Sequence, residues 1–141
     1  MRYLLDTNVV SELRKRSAVR DPRVHAWAAS RDASDMALSV ITVLEVGLGV
    51  ARLARRDPLQ AQHLRTWFDD VILGEFGDRT LPITVPVARR NIALHADGPR
   101  PERDAWIAAT ALVHGLTVVT RNVSDFAPTG VAVLNPWAVD A

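Results

Sequence analysis

Four acidic residues stand where an α/β chain could gather them: Asp6, Glu45, Asp104 and Asp125. Asp6 directly follows the apolar run Tyr3-Leu4-Leu5. Asp104 precedes Ala105-Trp106-Ile107-Ala108-Ala109-Thr110-Ala111, an almost unbroken apolar stretch. A carboxylate beside apolar surface needs a partner, a proton or a metal ion. Clustered carboxylates repel one another, and a divalent cation relieves that repulsion. Oxygen-only donors in a chain without cysteine point to Mg2+ or Mn2+ over zinc. Such an ion can bind a phosphodiester oxygen and activate water for in-line attack. Each acid also has an ordinary structural use. Asp6 could cap a helix, and Glu45, three residues after Thr42, fits a capping box. Asp104 would be favoured in a first helical turn by the macrodipole. Asp125 could hold the turn before Phe126.

Other chemistries are less well supported. The four histidines (His25, His63, His95, His114) have no metal-like spacing and read as helix-surface or helix-end residues. Gly47-Leu48-Gly49 lies inside a helical pattern and lacks the third glycine of a phosphate loop. Ser11 and Ser39 have no nearby histidine to serve as base. The absence of cysteine removes disulfides, thiolate zinc sites and cysteine nucleophiles together. The four tryptophans read as core or interface.

The elements that must position the acids follow from pattern. Residues 3–5, 36–40, 81–85, 117–119 and 131–134 read as strands. Between them, capping residues and three-and-four apolar spacing predict helices. One follows Asp6-Thr7-Asn8, one opens at Asp21-Pro22, and others span 41–56, 58–73 and 87–95. A last helix opens at Pro101 and stops at Gly115. Gly47 and Gly49 interrupt the third pattern, which suggests close packing there. Strands alternating with helices predict an α/β fold with a mainly parallel sheet. Ligands sit at the carboxyl ends of such strands. Asp6 follows the first strand, and Ser39, Thr42 and Glu45 follow the second. Thr120, Arg121, Asn122 and Asp125 follow the fourth. Asp104 begins the helix that feeds the fourth strand. Topology puts its turn at the opposite edge unless the preceding loop brings it back.

Composition sets the frame. The chain has 141 residues, 48% of them hydrophobic, and a formal net charge of +1. This is the make-up of one globular domain over residues 1–141 with no need of staples. No apolar run reaches the length of a secretory or membrane-spanning segment, so a cytoplasmic protein is expected. Sixteen of the 17 basic residues are arginine. They cluster at residues 14–31, 52–56 and 100–103, as solvated helix faces or as phosphate contacts.

These residues resemble the PIN-domain nucleases, and within them the FitB-like branch of the VapC toxins. The resemblance is carried by Leu4-Leu5-Asp6-Thr7-Asn8-Val9-Val10-Ser11-Glu12, Ser39-Val40-Ile41-Thr42-Val43-Leu44-Glu45 and the Asp104–Ala111 stretch quoted above. Val119-Thr120-Arg121-Asn122-Val123-Ser124-Asp125-Phe126 and Val131-Ala132-Val133-Leu134-Asn135-Pro136-Trp137 complete it. It implies a three-layer α/β/α sandwich with a parallel sheet of four to five strands. It also implies the toxic half of a type II toxin–antitoxin module, a Mg2+- or Mn2+-dependent endoribonuclease acting on tRNA or rRNA and leaving 5′-phosphate and 3′-hydroxyl ends. Asp6, Glu45 and Asp104 would match the family's metal-site acids, which assigns Asp104 to the site. The family often has an acid directly after the Thr-Arg pair, where this chain has Asn122. Asp125 is then the fourth acid, with Thr7, Asn8, Thr120, Arg121 and Asn122 orienting carboxylates, water or RNA. The implied partners are a VapB-like antitoxin, RNA, a second copy of the chain, and operator DNA through the antitoxin alone. Two other readings stay open: a non-catalytic partner in operator repression, and a metal-dependent DNA nuclease.

Overall fold

The structure, a computed structural model, describes residues 1–138. The expected domain includes residues 139–141, which lie outside the described residues. Five parallel strands form the centre: β1 (Tyr3–Leu5), β2 (Met36–Ser39), β3 (Thr80–Leu81), β4 (Thr117–Val119) and β5 (Val133–Leu134). Their order is β3-β2-β1-β4-β5. The chain builds outward from β1 in one direction, then crosses to the other side. The switch point of the sheet therefore falls between β1 and β4, where Leu5 pairs with Val119.

Alternation along the strands divides the core into two layers. Leu4, Ala37 and Val118 face one side of the sheet, where they meet Val87, Leu94, Ile107, Ala108 and Phe126. Tyr3, Leu5, Met36, Leu38 and Val119 face the other side, against Val9, Val24, Trp27, Val46 and Ile72. Three layers, α/β/α, are the result. Leu4, Leu5, Ala37, Leu38, Val118 and Val119 are all fully buried, as expected of strands covered on both faces.

The helices are α1 (Thr7–Arg14), α2 (Pro22–Ala29), α3 (Val40–Arg56), α4 (Pro58–Trp67), α5 (Val85–Ala96), α6 (Glu102–His114) and α7 (Val123–Phe126). Asp21 caps α2 with Pro22 in its first turn, and Gly115 ends α6 in the left-handed conformation at φ 67°. Both follow from the sequence. Three expectations need correction. The third strand stops at Leu81 instead of reaching residue 85, because Pro82 has no N–H to donate and Thr84 caps α5 through Val87 N. The helix expected to run to residue 73 leaves α geometry at Trp67 and continues as a π-helical turn, Phe68–Glu75. Gly47 and Gly49 are not demanded by packing. A Cβ on Gly47 would lie 3.5 Å from the Phe68 ring, an ordinary contact, and one on Gly49 would meet nothing within 4 Å. Among the described residues, no helix is long and apolar enough to cross a membrane.

Candidate metal centre

The site is built at the switch point. β1 ends at Leu5, and Asp6 N donates to Val119 O across the sheet at 2.9 Å. This lays Asp6 beside Thr120. Asp6 is only 4% exposed, so its carboxylate needs donors from the protein. It has three. Thr7 N donates to Oδ1 at 2.8 Å, Thr120 Oγ1 donates to Oδ2 at 2.7 Å, and Asn8 Nδ2 donates to Oδ2 at 3.3 Å. Asp6 thus caps α1 while belonging to the site. The cap reading is borne out. Burial raises its pKa; the bonds from Thr120 and Thr7 pull it down, and the Asp125 charge pushes it up again.

Thr120 is fully buried and joins the loop after β4 to β1. Its hydroxyl accepts from Asn8 Nδ2 at 3.2 Å and from Asn122 N at 3.0 Å. Asn8 Oδ1 in turn accepts from Arg121 N at 3.2 Å. The Asn8 amide therefore clamps the turn that leads to Asp125. Asn122 contributes through its backbone: its carbonyl accepts from Asp125 N at 3.1 Å and starts α7.

Glu45 comes from α3 and is half-buried. Thr7 Oγ1 donates to its Oε1 at 2.9 Å. The helix is capped by Ser39, whose hydroxyl accepts from Ile41 N at 3.0 Å. Thr42 is therefore not a cap, and Glu45 is not the far end of a capping box. Its side chain turns to the site instead.

Asp104 settles the topological question. Its pKa is pushed up to about 6, first by burial and then by the charges of Asp6, Asp125 and Glu45. The loop at residues 97–101 returns the first turn of α6 to the carboxyl edge of the sheet, where Arg103 reaches Glu45 and Asp104 feels the charges of the other three acids. Arg103, beside Asp104, points Nη1 at Glu45 Oε2 from 3.8 Å. Sequence reading placed this arginine in a basic cluster and missed the pairing; its position beside Asp104 was the available signal. The donors are all carboxylate oxygens, a set that fits a hard divalent cation. No group of three or more His, Cys, Asp or Glu side chains among the described residues is close enough to hold a metal ion without adjustment.

The arginines are less free than their clustering suggests. Arg121 lies over the Trp137 ring, 5.2 Å from its centroid, while its backbone N–H donates to Asn8. Arg14 stacks on Trp67, and Arg31 on Tyr3 and Trp27. Arg23 pairs with Asp21, and Lys15 with Glu12. The first basic cluster is thus largely spent within the fold. An apolar groove of about 320 Å³, rimmed by Arg14, Arg31 and Arg79 and floored by Leu13, Trp67 and Phe76, is separate from the acids.

An α/β/α fold with four acids at its switch point defines a class. The PIN domain family model matches residues 3–128, and the chain belongs to that family. The toxin FitB of Neisseria gonorrhoeae is 42% identical over 140 residues, covering 95% of this chain and 97% of that protein. The VapC ribonuclease Y4jK of Sinorhizobium fredii is 36% identical over 143 residues, covering 95% and 96%. Among solved structures, FitAB bound to an IR36 DNA fragment superposes with a TM-score of 0.87 at 38% identity, over 99% of this chain and 98% of that one.

Proposed function

We propose that the chain is the toxin of a type II toxin–antitoxin module and hydrolyses RNA phosphodiesters with Mg2+ or Mn2+ held by Asp6, Glu45, Asp104 and Asp125. The observation that carries this reading is the gathering of carboxylates at one sheet edge, where Asp104 is lifted to a pKa of about 6, first by burial and then by the charges of Asp6, Asp125 and Glu45. Names of relatives supply the substrate class: Y4jK is called a VapC ribonuclease. Held by these four acids, such an ion would offset their repulsion and would supply Lewis acidity toward a phosphodiester oxygen and the attacking water.

The chain's own residues do the rest. Thr120 and Thr7 N oppose the rise that burial gives the Asp6 pKa, and Asn8 helps to fix its carboxylate. Thr7 holds one oxygen of Glu45, which leaves the other toward Arg103. Asn122 and Arg121 N set the turn that brings Asp125 to the site. The protein acts in the prokaryotic cytoplasm as a homodimer, neutralised by a VapB-like antitoxin. Operator DNA is reached only through that antitoxin, in keeping with the DNA-bound FitAB neighbour.

The test compares wild type with Asp6→Asn, each induced without antitoxin, with growth and total RNA followed. Arrest and new RNA fragments are expected with wild type alone, and EDTA should stop cleavage by the purified chain. Equal growth and intact RNA from two folded proteins would favour a non-catalytic role in repression. Nicked plasmid with intact RNA would favour a DNA nuclease.

A further inference from the structure

We infer that Arg103 is a phosphate-binding residue of the site: it competes with the metal ion for Glu45 Oε2, and the guanidinium released by that competition grips the RNA phosphodiester. This rests on the ribonuclease reading above. Arg103 stands in the first turn of α6, directly before Asp104. Its Nη1 lies 3.8 Å from Glu45 Oε2, a charge contact too long for a hydrogen bond. Glu45 Oε1 is already held by the Thr7 hydroxyl at 2.9 Å. Oε2 is therefore the oxygen that Glu45 offers to a cation. Each positive charge beside it weakens the hold of the other.

The contact bridges α6 and α3, and the Arg103 side chain is 45% exposed. An exposed ion pair at this distance contributes little to a fold, so tying the two helices together is a weak reason for it. Charge supplies a stronger one. Four ionised acids outweigh one divalent ion, so the loaded site still repels the phosphodiester it must receive. A cation at its edge reduces that repulsion. Among the described residues Arg103 is the basic residue that pairs with one of the four acids. Its neighbour before α6, Arg100, instead donates through Nε to Leu94 O at 3.1 Å. A guanidinium also presents a planar fork that matches two phosphate oxygens. Anchored one residue from Asp104, Arg103 can leave Glu45 for the phosphate by side-chain rotation, with the α6 backbone unmoved.

The test compares the full chain with Arg103→Gln and Arg103→Lys, and it reads binding apart from cleavage. Mn2+ affinity is taken from the loss of the free-ion EPR signal. RNA affinity is taken from the anisotropy of a labelled mixed-sequence RNA in Ca2+, another cation that takes oxygen donors. Arg103→Gln should bind Mn2+ about threefold tighter, since one competing charge is gone. The same variant should bind RNA about tenfold weaker. Arg103→Lys should keep the wild-type Mn2+ affinity and recover part of the RNA affinity, because it has the charge without the fork. A residue that merely braced α3 against α6 would weaken both ligands together. In 15N-labelled wild type the Arg103 Nε–H signal should move on adding Mg2+, which keeps the test valid if a variant fails to fold. Unchanged Mn2+ or RNA affinity in Arg103→Gln, weaker binding of both, or an Nε–H signal indifferent to Mg2+ would each overturn the assignment. Any of these beside RNA cleavage by the wild type would remove the role of Arg103 alone. Opposite shifts of the two affinities in a chain whose wild type never cuts RNA would keep Arg103 as a phosphate ligand and remove the nuclease reading.

Discussion

Asp104 is the residue on which the charges of the site fall most heavily. Its pKa is about 6 when folded and 3.8 in the ordinary state. Below pH 4 the carboxyl is protonated in both states and costs the fold nothing. As pH rises through 6 the folded chain must give up a proton it favours, so stability is lost. Asp104→Asn should therefore stabilise the metal-free chain above pH 6, by at most about 1 kcal/mol because the side chain is half in water and screened. Thermal melts in EDTA from pH 4 to 7.5 check this; the gap should close at the acidic end. Added Mg2+ should raise the melting temperature of wild type more than that of the variant. Thr120 sits at the other extreme, fully buried. Thr120→Val would remove one donor from Asp6 and one acceptor from both Asn8 and Asn122, at a cost of about 2–3 kcal/mol. Urea unfolding would measure the loss. The Asp6 pKa should rise further, since the Thr120 bond holds it down.

At the scale of elements, legibility followed the strength of local signals. Asp21-Pro22 and Gly115 announced the bounds of α2 and α6, since each residue satisfies a backbone requirement by itself. Asp6 was readable for the same reason, as an acid closing an apolar strand. Glu45 looked like part of a capping box, because one spacing serves both helix ends and sites; only the bond from Thr7, on another element, separates the two. Asp104 could not be placed by topology, because the path of residues 97–101 is set by tertiary packing. The same holds for the π-helical turn after Trp67, where α-helical and π-helical patterns look alike over one turn. Gly49 illustrates the opposite error, a breaker with no packing reason behind it. It lies within α3, and a Cβ there would meet nothing within 4 Å. Gly49→Ala should stabilise the chain by about 1 kcal/mol, raising the urea midpoint without changing the slope.

The whole molecule divides its labour between the two faces of the sheet and its carboxyl edge. Both faces are filled by core and the edge carries the acids. A net charge of +1 gives the chain no strong overall field for duplex DNA. The chain alone should therefore fail to retard operator DNA in a mobility-shift assay, whereas the chain with its antitoxin should retard it. Retardation by the chain alone, lost at a scrambled sequence, would contradict this. The rims of the sheet carry a further consequence. β3 and β5 are each two residues long, with Pro82 directly after one and Asn135-Pro136 after the other. Neither rim offers a row of unpaired backbone groups onto which a foreign strand could zip. Among the described residues the rims thus favour partners that grip through side chains, by helix or loop, over partners that lengthen the sheet.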